Sequence, residues 1–195
     1  MKLSQLPNLI TLSRIALVPV LILMLKDREY AAALAVFFLA GLSDGLDGFI
    51  AKRFGLRSQL GAVLDPLADK TLLVTSYVML TILGHVPFWL MLAVVFRDLL
   101  IVGGYLIYTT LFGAVQMQPS GLSKFNTLMQ IALVVALLAQ QAAGRSYPFE
   151  TTLLVYAVFA TTVASGVHYL WTWGVMKEIR PAADAAAAAE GDTRE

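Results

Sequence analysis

Apolar residues run through this chain in long blocks separated by short polar stretches. Six blocks stand out, near residues 9–26, 30–52, 61–83, 87–111, 122–142 and 149–176. Each has about 20 residues or slightly more, the helix length that crosses roughly 30 Å of hydrocarbon. The breaks are KDRE, a basic glycine-containing stretch after Ala51, GHVP, FGAVQMQPSG and AGRSYP. The pattern predicts an all-α integral membrane protein of six transmembrane helices. The last block is long enough to include a helical extension beyond the membrane. Residues 181–195, PAADAAAAAEGDTRE, are low in complexity and read as a solvated, disordered tail after a membrane domain of residues 1–180. No internal repeat is evident.

Composition supports the pattern. The chain has 195 residues, of which 58% are hydrophobic and 14% charged, against about 25% charged in ordinary soluble domains. A net charge of +1 implies no general affinity for nucleic acid. Cysteine is absent, which removes disulfides from consideration. The first block is expected to be a retained helix and not a cleaved signal, because the charges of residues 26–30 are wrong for a cleavage region. Lys2, Lys52, Arg53, Arg57, Lys124, Lys177 and Arg180 fall on one side of a six-span layout, and Lys26, Arg28 and Arg145 on the other. Positive charge marks the inside. Both termini are therefore expected in the cytoplasm.

One stretch conflicts with its apolar surroundings. Ser43 to Lys70 reads SDGLDGFIAKRFGLRSQLGAVLDPLADK and contains Asp44, Asp47, Asp65 and Asp69. Asp44 and Asp47 are three apart, and Asp65 and Asp69 four apart, so at helical spacing each pair shares a face. Glycines and the cations Lys52, Arg53 and Arg57 between the pairs allow the chain to turn back. Two antiparallel helices would aim four carboxylates at one point. They could not all stay ionised there without a cation. Hard divalent ions, Mg²⁺ or Mn²⁺, suit oxygen ligands. His85 and His168 lie far away in sequence, against a softer zinc-type site. The blander alternative is a set of helix caps with salt bridges to Lys52, Arg53 and Lys70.

This stretch resembles the signature of the CDP-alcohol phosphatidyltransferases, Asp-x2-Asp-Gly-x2-Ala-Arg-x8-Gly-x3-Asp-x3-Asp. It fits at Asp44, Asp47, Gly48, Ala51, Gly61, Asp65 and Asp69. It departs at Lys52, where the pattern has Arg; Arg53 is next door. A lysine is a point charge and lacks the bidentate fork. The opening LPNLITLSRIALVPV is similar to a Pro-Asn-x2-Thr-x2-Arg stretch of the family, met here as Asn8, Thr11 and Arg14. The resemblance implies that these three help to hold the CDP portion, although Arg14 alone also suits a snorkelling cap. It implies two ions, Mg²⁺ or Mn²⁺, bridged by Asp44 and Asp65, with Asp47 completing one site. Asp69 would contact the other ion and act as general base. Gly48 and Gly61 would let the nucleotide approach, with Ala51 between them in the signature. Lys52 and Ser58 would touch the CDP-lipid. A six-helix homodimer and direct attack without a covalent enzyme intermediate are also implied.

The acceptor alcohol is harder to read. Arg97 and Asp98 lie mid-block, deeper than snorkelling easily explains. They read either as a structural ion pair or as a cation aimed at an acceptor phosphate. Lys124, Asn126 and Gln130 open the fifth block; Lys124 also suits an anchor, and Asn126 and Gln130 suit helix-to-helix bonding. The resemblance puts Arg97, Lys124 and Asn126 at the acceptor. LGAVLDPLADK, RDLLIVGG and SKFNTLMQ are similar to the eukaryotic-type cardiolipin synthase branch, which joins CDP-diacylglycerol to phosphatidylglycerol and releases CMP. The glycerophosphate-using branch has a second Arg where this chain has Tyr105, and a second Lys where it has Asn126. Loss of two cations favours a phosphodiester monoanion over a phosphate dianion. The alternatives are phosphatidylglycerophosphate synthesis from glycerol 3-phosphate and, in another class, a small transporter or metal-binding scaffold. His85 reads as structural. His168, Tyr169, Trp171 and Trp173 read as an interfacial aromatic belt, and Gly103 and Gly104 as packing positions.

Overall fold

The computed structural model describes the backbone of residues 6–54, 59–112 and 121–191, with side chains for 15–42, 70–104 and 121–171. Among these residues the chain forms six helices and no strand. They are α1 Leu6–Lys26, α2 Tyr30–Phe54, α3 Gln59–Ile82, α4 Phe88–Phe112, α5 Gly121–Ala142 and α6 Pro148–Gly191. The boundaries match the apolar blocks to within a few residues, apart from the end of α6. That helix continues through residues 181–191, where composition pointed to disordered chain. Alanine has the highest intrinsic helix propensity, which suits the Ala-rich stretch to continued helix.

Three described helix ends close in the same way. Gly84 takes φ 79° after α3, with His85 N–H donating to Leu80 O and Gly84 N–H to Thr81 O. Gly144 at φ 61° does the same after α5, through Arg145 to Gln140 and Gly144 to Gln141. After α1 the left-handed position is Arg28, φ 60°, with Glu29 N–H on Met24 O and Arg28 N–H on Leu25 O. These reversed bonds satisfy carbonyls that a helix end leaves open. At the next helix starts, Pro87 O accepts from Leu90 N–H and Met91 N–H, and Pro148 begins α6, where its missing N–H costs nothing. Gln140 Oε1 accepts from both Tyr147 N–H and Thr151 Oγ1, holding the α5–α6 turn shut.

The helices pack as a bundle. α1 lies against α2 and α3, α5 against α6 and α2, and α4 against α6 and α3. Leu21, Leu25, Tyr77, Leu80, Leu90, Leu133, Leu138 and Val158 fill the centre. The outside is also apolar: Leu39, Phe88, Phe96, Leu99, Leu128, Leu153, Leu170 and Trp171 are all more than half exposed. Patches of that kind mark surfaces that meet something other than water. Residues Gly121–Ala142 and Pro148–Trp171 form two helices long and apolar enough to cross a membrane, among the described residues. The first and third turns share one end of the bundle, since the Tyr30 hydroxyl and His85 Nε2 are hydrogen-bonded at 3.0 Å.

Candidate active site

Lys70, one residue beyond Asp69 on α3, reaches across to α4. Its Nζ donates to Asp98 Oδ1 at 3.0 Å. The same oxygen accepts from Arg97 Nη1 at 2.6 Å. Arg97 Nη2 donates to Ser123 Oγ on α5 at 2.6 Å and to Ser165 Oγ on α6 at 2.8 Å. Four helices thus meet at one guanidinium and one carboxylate. Arg97 and Asp98 are buried, at 2% and 4% exposure, so neither charge is met by water. The aliphatic part of Arg97 passes close to Gly166, where an added Cβ would stand 3.9 Å from Cγ. Two cations and one carboxylate leave this joint with one net positive charge.

A second, neutral joint lies next to it on α5. Asn126 Oδ1 accepts from Thr161 Oγ1 at 2.9 Å and Thr162 Oγ1 at 3.0 Å, both on α6. Thr162 Oγ1 in turn accepts from Gln130 Nε2 at 3.5 Å, and the Gln130 main-chain carbonyl accepts from Tyr77 Oη on α3. Some polar atoms here have no partner among the described residues: Arg97 Nε, Asp98 Oδ2, Asn126 Nδ2 and Gln130 Oε1. Buried polar groups are normally paired. Arg97 Nε and Asp98 Oδ2 are therefore each open to one further polar contact.

The expected residues fall as follows. Asp44, Asp47, Gly48, Ala51 and Lys52 lie on the C-terminal half of α2, and Gly61, Asp65 and Asp69 on the N-terminal half of α3. Asn8, Thr11 and Arg14 lie on α1. Their side chains are outside the described residues, and Ser58 is outside them altogether. Both Asp pairs are in continuous helix, so the spacing that puts each on one face is present. Among the described residues no three His, Asp or Glu gather as a metal site. The Asp set itself is all carboxylate, the donor chemistry that suits a hard divalent ion. Arg97 makes the ion pair anticipated as its structural reading, and Asn126 makes the bonds anticipated as helix-to-helix bonding. Lys124 is exposed, one residue after Ser123. His85 serves as a strut, hydrogen-bonded and packed edge-on to Tyr30 at 5.6 Å. Burial, and then the charge of Arg28, hold its imidazole below the ordinary pKa. His168 and Trp171 are exposed on α6.

Sequence reasoning did not single out Lys70, Ser123, Thr161, Thr162 or Ser165 as parts of a site. A signal existed only for α6: three small hydroxyl residues at 161, 162 and 165 in an apolar helix fall within one turn.

The sequence model of the CDP-alcohol phosphatidyltransferases matches residues 4–173. Among curated proteins, a rat cardiolipin synthase (CMP-forming) is 35% identical over 179 residues, covering 84% of this chain and 59% of its own. The human cardiolipin synthase (CMP-forming) is 36% identical over 179 residues, covering 84% and 60%. The CDP-diacylglycerol–glycerol-3-phosphate 3-phosphatidyltransferase of Bacillus subtilis is 31% identical over 191 residues, covering 89% and 97%. The chain thus spans about three-fifths of the length of the rat and human relatives.

Proposed function

We propose, from the premise that this chain belongs to the CDP-alcohol phosphatidyltransferase family, that it joins CDP-diacylglycerol to phosphatidylglycerol, giving cardiolipin and CMP. The observation that favours this acceptor is the Lys70–Asp98–Arg97 joint beside Asp69, with Arg97 and Asp98 buried and Lys70 half-buried. Its single net positive charge matches a phosphodiester monoanion. Phosphatidylglycerol is such a diester and keeps a free primary hydroxyl. Its acyl chains hold it at the apolar outer surface, so headgroup contacts need supply less of the binding.

In this reading Asp44, Asp47, Asp65 and Asp69 hold two ions, Mg²⁺ or Mn²⁺, which when bound neutralise charge on the pyrophosphate and on the departing CMP. Asn8, Thr11, Arg14, Lys52 and Ser58 line the CDP end, and Gly48, Ala51 and Gly61 keep the backbone accessible. Arg97 and Lys124 orient the acceptor phosphodiester, with Asn126 bracing α5 behind them. Asp69 takes the proton of the primary hydroxyl, whose oxygen bonds to the lipid-side phosphorus. The bond from that phosphorus to the CMP oxygen breaks. General-base help of this kind is worth about 10²–10⁴-fold in rate. We place the six helices across the cytoplasmic membrane, both termini and the site on the cytoplasmic side, residues 1–180 as the membrane domain, and two copies in a homodimer.

The test is competition. Purified protein is given CDP-diacylglycerol, Mg²⁺ or Mn²⁺, and either phosphatidylglycerol or glycerol 3-phosphate, and products are resolved by mass. Cardiolipin and CMP are expected, with both lost in excess chelator. Phosphatidylglycerophosphate without cardiolipin would promote the second reading, which the near-complete coverage of the Bacillus subtilis relative favours. Full activity in chelator would reject the metal site.

A further inference from the structure

We infer that Asp98 is a specificity-determining residue that sets the charge of the acceptor this site accepts. The inference deepens the acceptor assignment above and rests on it. Lys70 and Arg97 bring two positive charges to one buried carboxylate oxygen, 3.0 and 2.6 Å away. If Asp98 were neutral, the joint would carry two net positive charges and would suit a phosphate monoester dianion. With Asp98 ionised it carries one.

Geometry makes Asp98 more than a brace. Only Oδ1 is used by the two cations; Oδ2 is buried and has no partner among the described residues. Arg97 is similarly unfinished. Three of its five N–H donors go to Asp98, Ser123 and Ser165, while Nε donates to nothing described. A bare carboxylate oxygen and an open guanidinium N–H thus belong to two buried groups that touch at 2.6 Å through their other atoms. The open N–H attracts a phosphate, and the bare oxygen penalises each further negative charge on it. Out of water such repulsion is weakly screened, so one unit of charge changes selectivity strongly.

Asp98→Asn tests this, because the substitution keeps the shape and the Oδ1 acceptor for Lys70 and Arg97. It removes the charge and turns the bare edge into a donor. The quantity read is kcat/KM for glycerol 3-phosphate divided by kcat/KM for phosphatidylglycerol, relative to wild type. Asp98→Asn is expected to raise that ratio about tenfold or more, and Asp98→Glu to leave it near the wild-type value. Lys70→Gln, which takes the joint to zero net charge, is expected to lower it. This second variant also serves if Asp98→Asn does not fold. Parallel loss of both acceptors, with the ratio unchanged, would overturn the inference and leave Asp98 a structural brace. The wild-type product alone decides between cardiolipin and phosphatidylglycerophosphate synthesis. The change of ratio between variant and wild type decides the role of Asp98, so either can fail without the other.

Discussion

Asn126 shows how a helix bundle with an apolar outside uses a single amide. Lipid tails are as apolar as leucine, so burying more leucine adds little drive for helices to associate; packing and interhelical hydrogen bonds do more. One Asn126 oxygen collects two hydroxyls of α6, and Gln130 one turn later returns a bond to Thr162. Asn126→Ala removes the acceptor for both threonines. Thr161 can fall back on Val158 O at 3.0 Å, whereas Thr162 loses the acceptor that its buried hydroxyl uses. We expect Asn126→Ala to cost about 1–2 kcal/mol, read as a lower unfolding midpoint in detergent. Lys124→Ala, two residues away and exposed, should stay within about 0.5 kcal/mol of wild type. Equal midpoints for the two variants would refute a bracing role for Asn126. At this scale the sequence was unevenly legible. Four aspartates at helical spacing among apolar residues stand out because ionised groups near hydrocarbon are expensive. Lys70 was visible only as a possible salt-bridge partner. Ser123 was not visible, because a lone hydroxyl in an apolar helix carries no spacing signal, whereas Thr161, Thr162 and Ser165 left a faint one as a cluster on α6.

The helices themselves were legible as six apolar blocks, since a long apolar helix leaves a continuous mark in the sequence. Their ends were legible where Gly84 and Gly144 supply left-handed turns, but not at the α1 end, where Arg28 takes that conformation. A side chain there costs roughly 1 kcal/mol relative to glycine. Arg28→Gly should therefore stabilise the protein by about that amount. The same substitution alters pH dependence. His85, hydrogen-bonded to Tyr30 across two turns, has its pKa lowered first by burial and then by the Arg28 charge. A group with a depressed folded pKa binds fewer protons folded than unfolded. Its full contribution is present above about pH 6.5 and is lost as pH falls through the folded value. In Arg28→Gly the folded pKa should rise towards normal, so the acid-side loss should be shallower. Unfolding midpoints between pH 5 and 8, on the order of the window around an ordinary histidine pKa, check both. A lower midpoint at neutral pH, or an acid-side slope steeper than wild type, would reject this account. The continuation of α6 to Gly191 escaped the reading for a different reason: low complexity suggested disorder, while an alanine-rich stretch also has high helix propensity.

For the whole molecule, the exposed apolar flanks and the charge asymmetry bear on one question, which way the bundle faces. Lys26 ends α1, and Arg28 and Arg145 belong to the turns after α1 and α5. The Tyr30–His85 bond brings the α1–α2 and α3–α4 turns to one end, as an alternating up-and-down chain requires. The end that carries Ser123 and Lys124 begins α5, and the Asp positions lie towards the α2–α3 connection with Lys52, Arg53 and Arg57 nearby. The cation-rich end should face the cytoplasm, because cations near span ends are retained there. In the proposed reaction, water-soluble CMP released at that end would return directly to the cytosol. The chain has no cysteine, so single replacements report position without background. Arg57→Cys and Thr193→Cys should react with a membrane-impermeant maleimide only after the cells are opened. Arg28→Cys should react in intact cells. Retained transferase activity in each variant would show that labelling reports the native bundle. Reaction of the position-57 thiol in intact cells would invert the orientation and move the proposed site to the outer face. Protection of the position-28 thiol in both intact and opened cells would leave that turn buried in protein or lipid, against the α1–α2 break seen at Asp27 to Glu29.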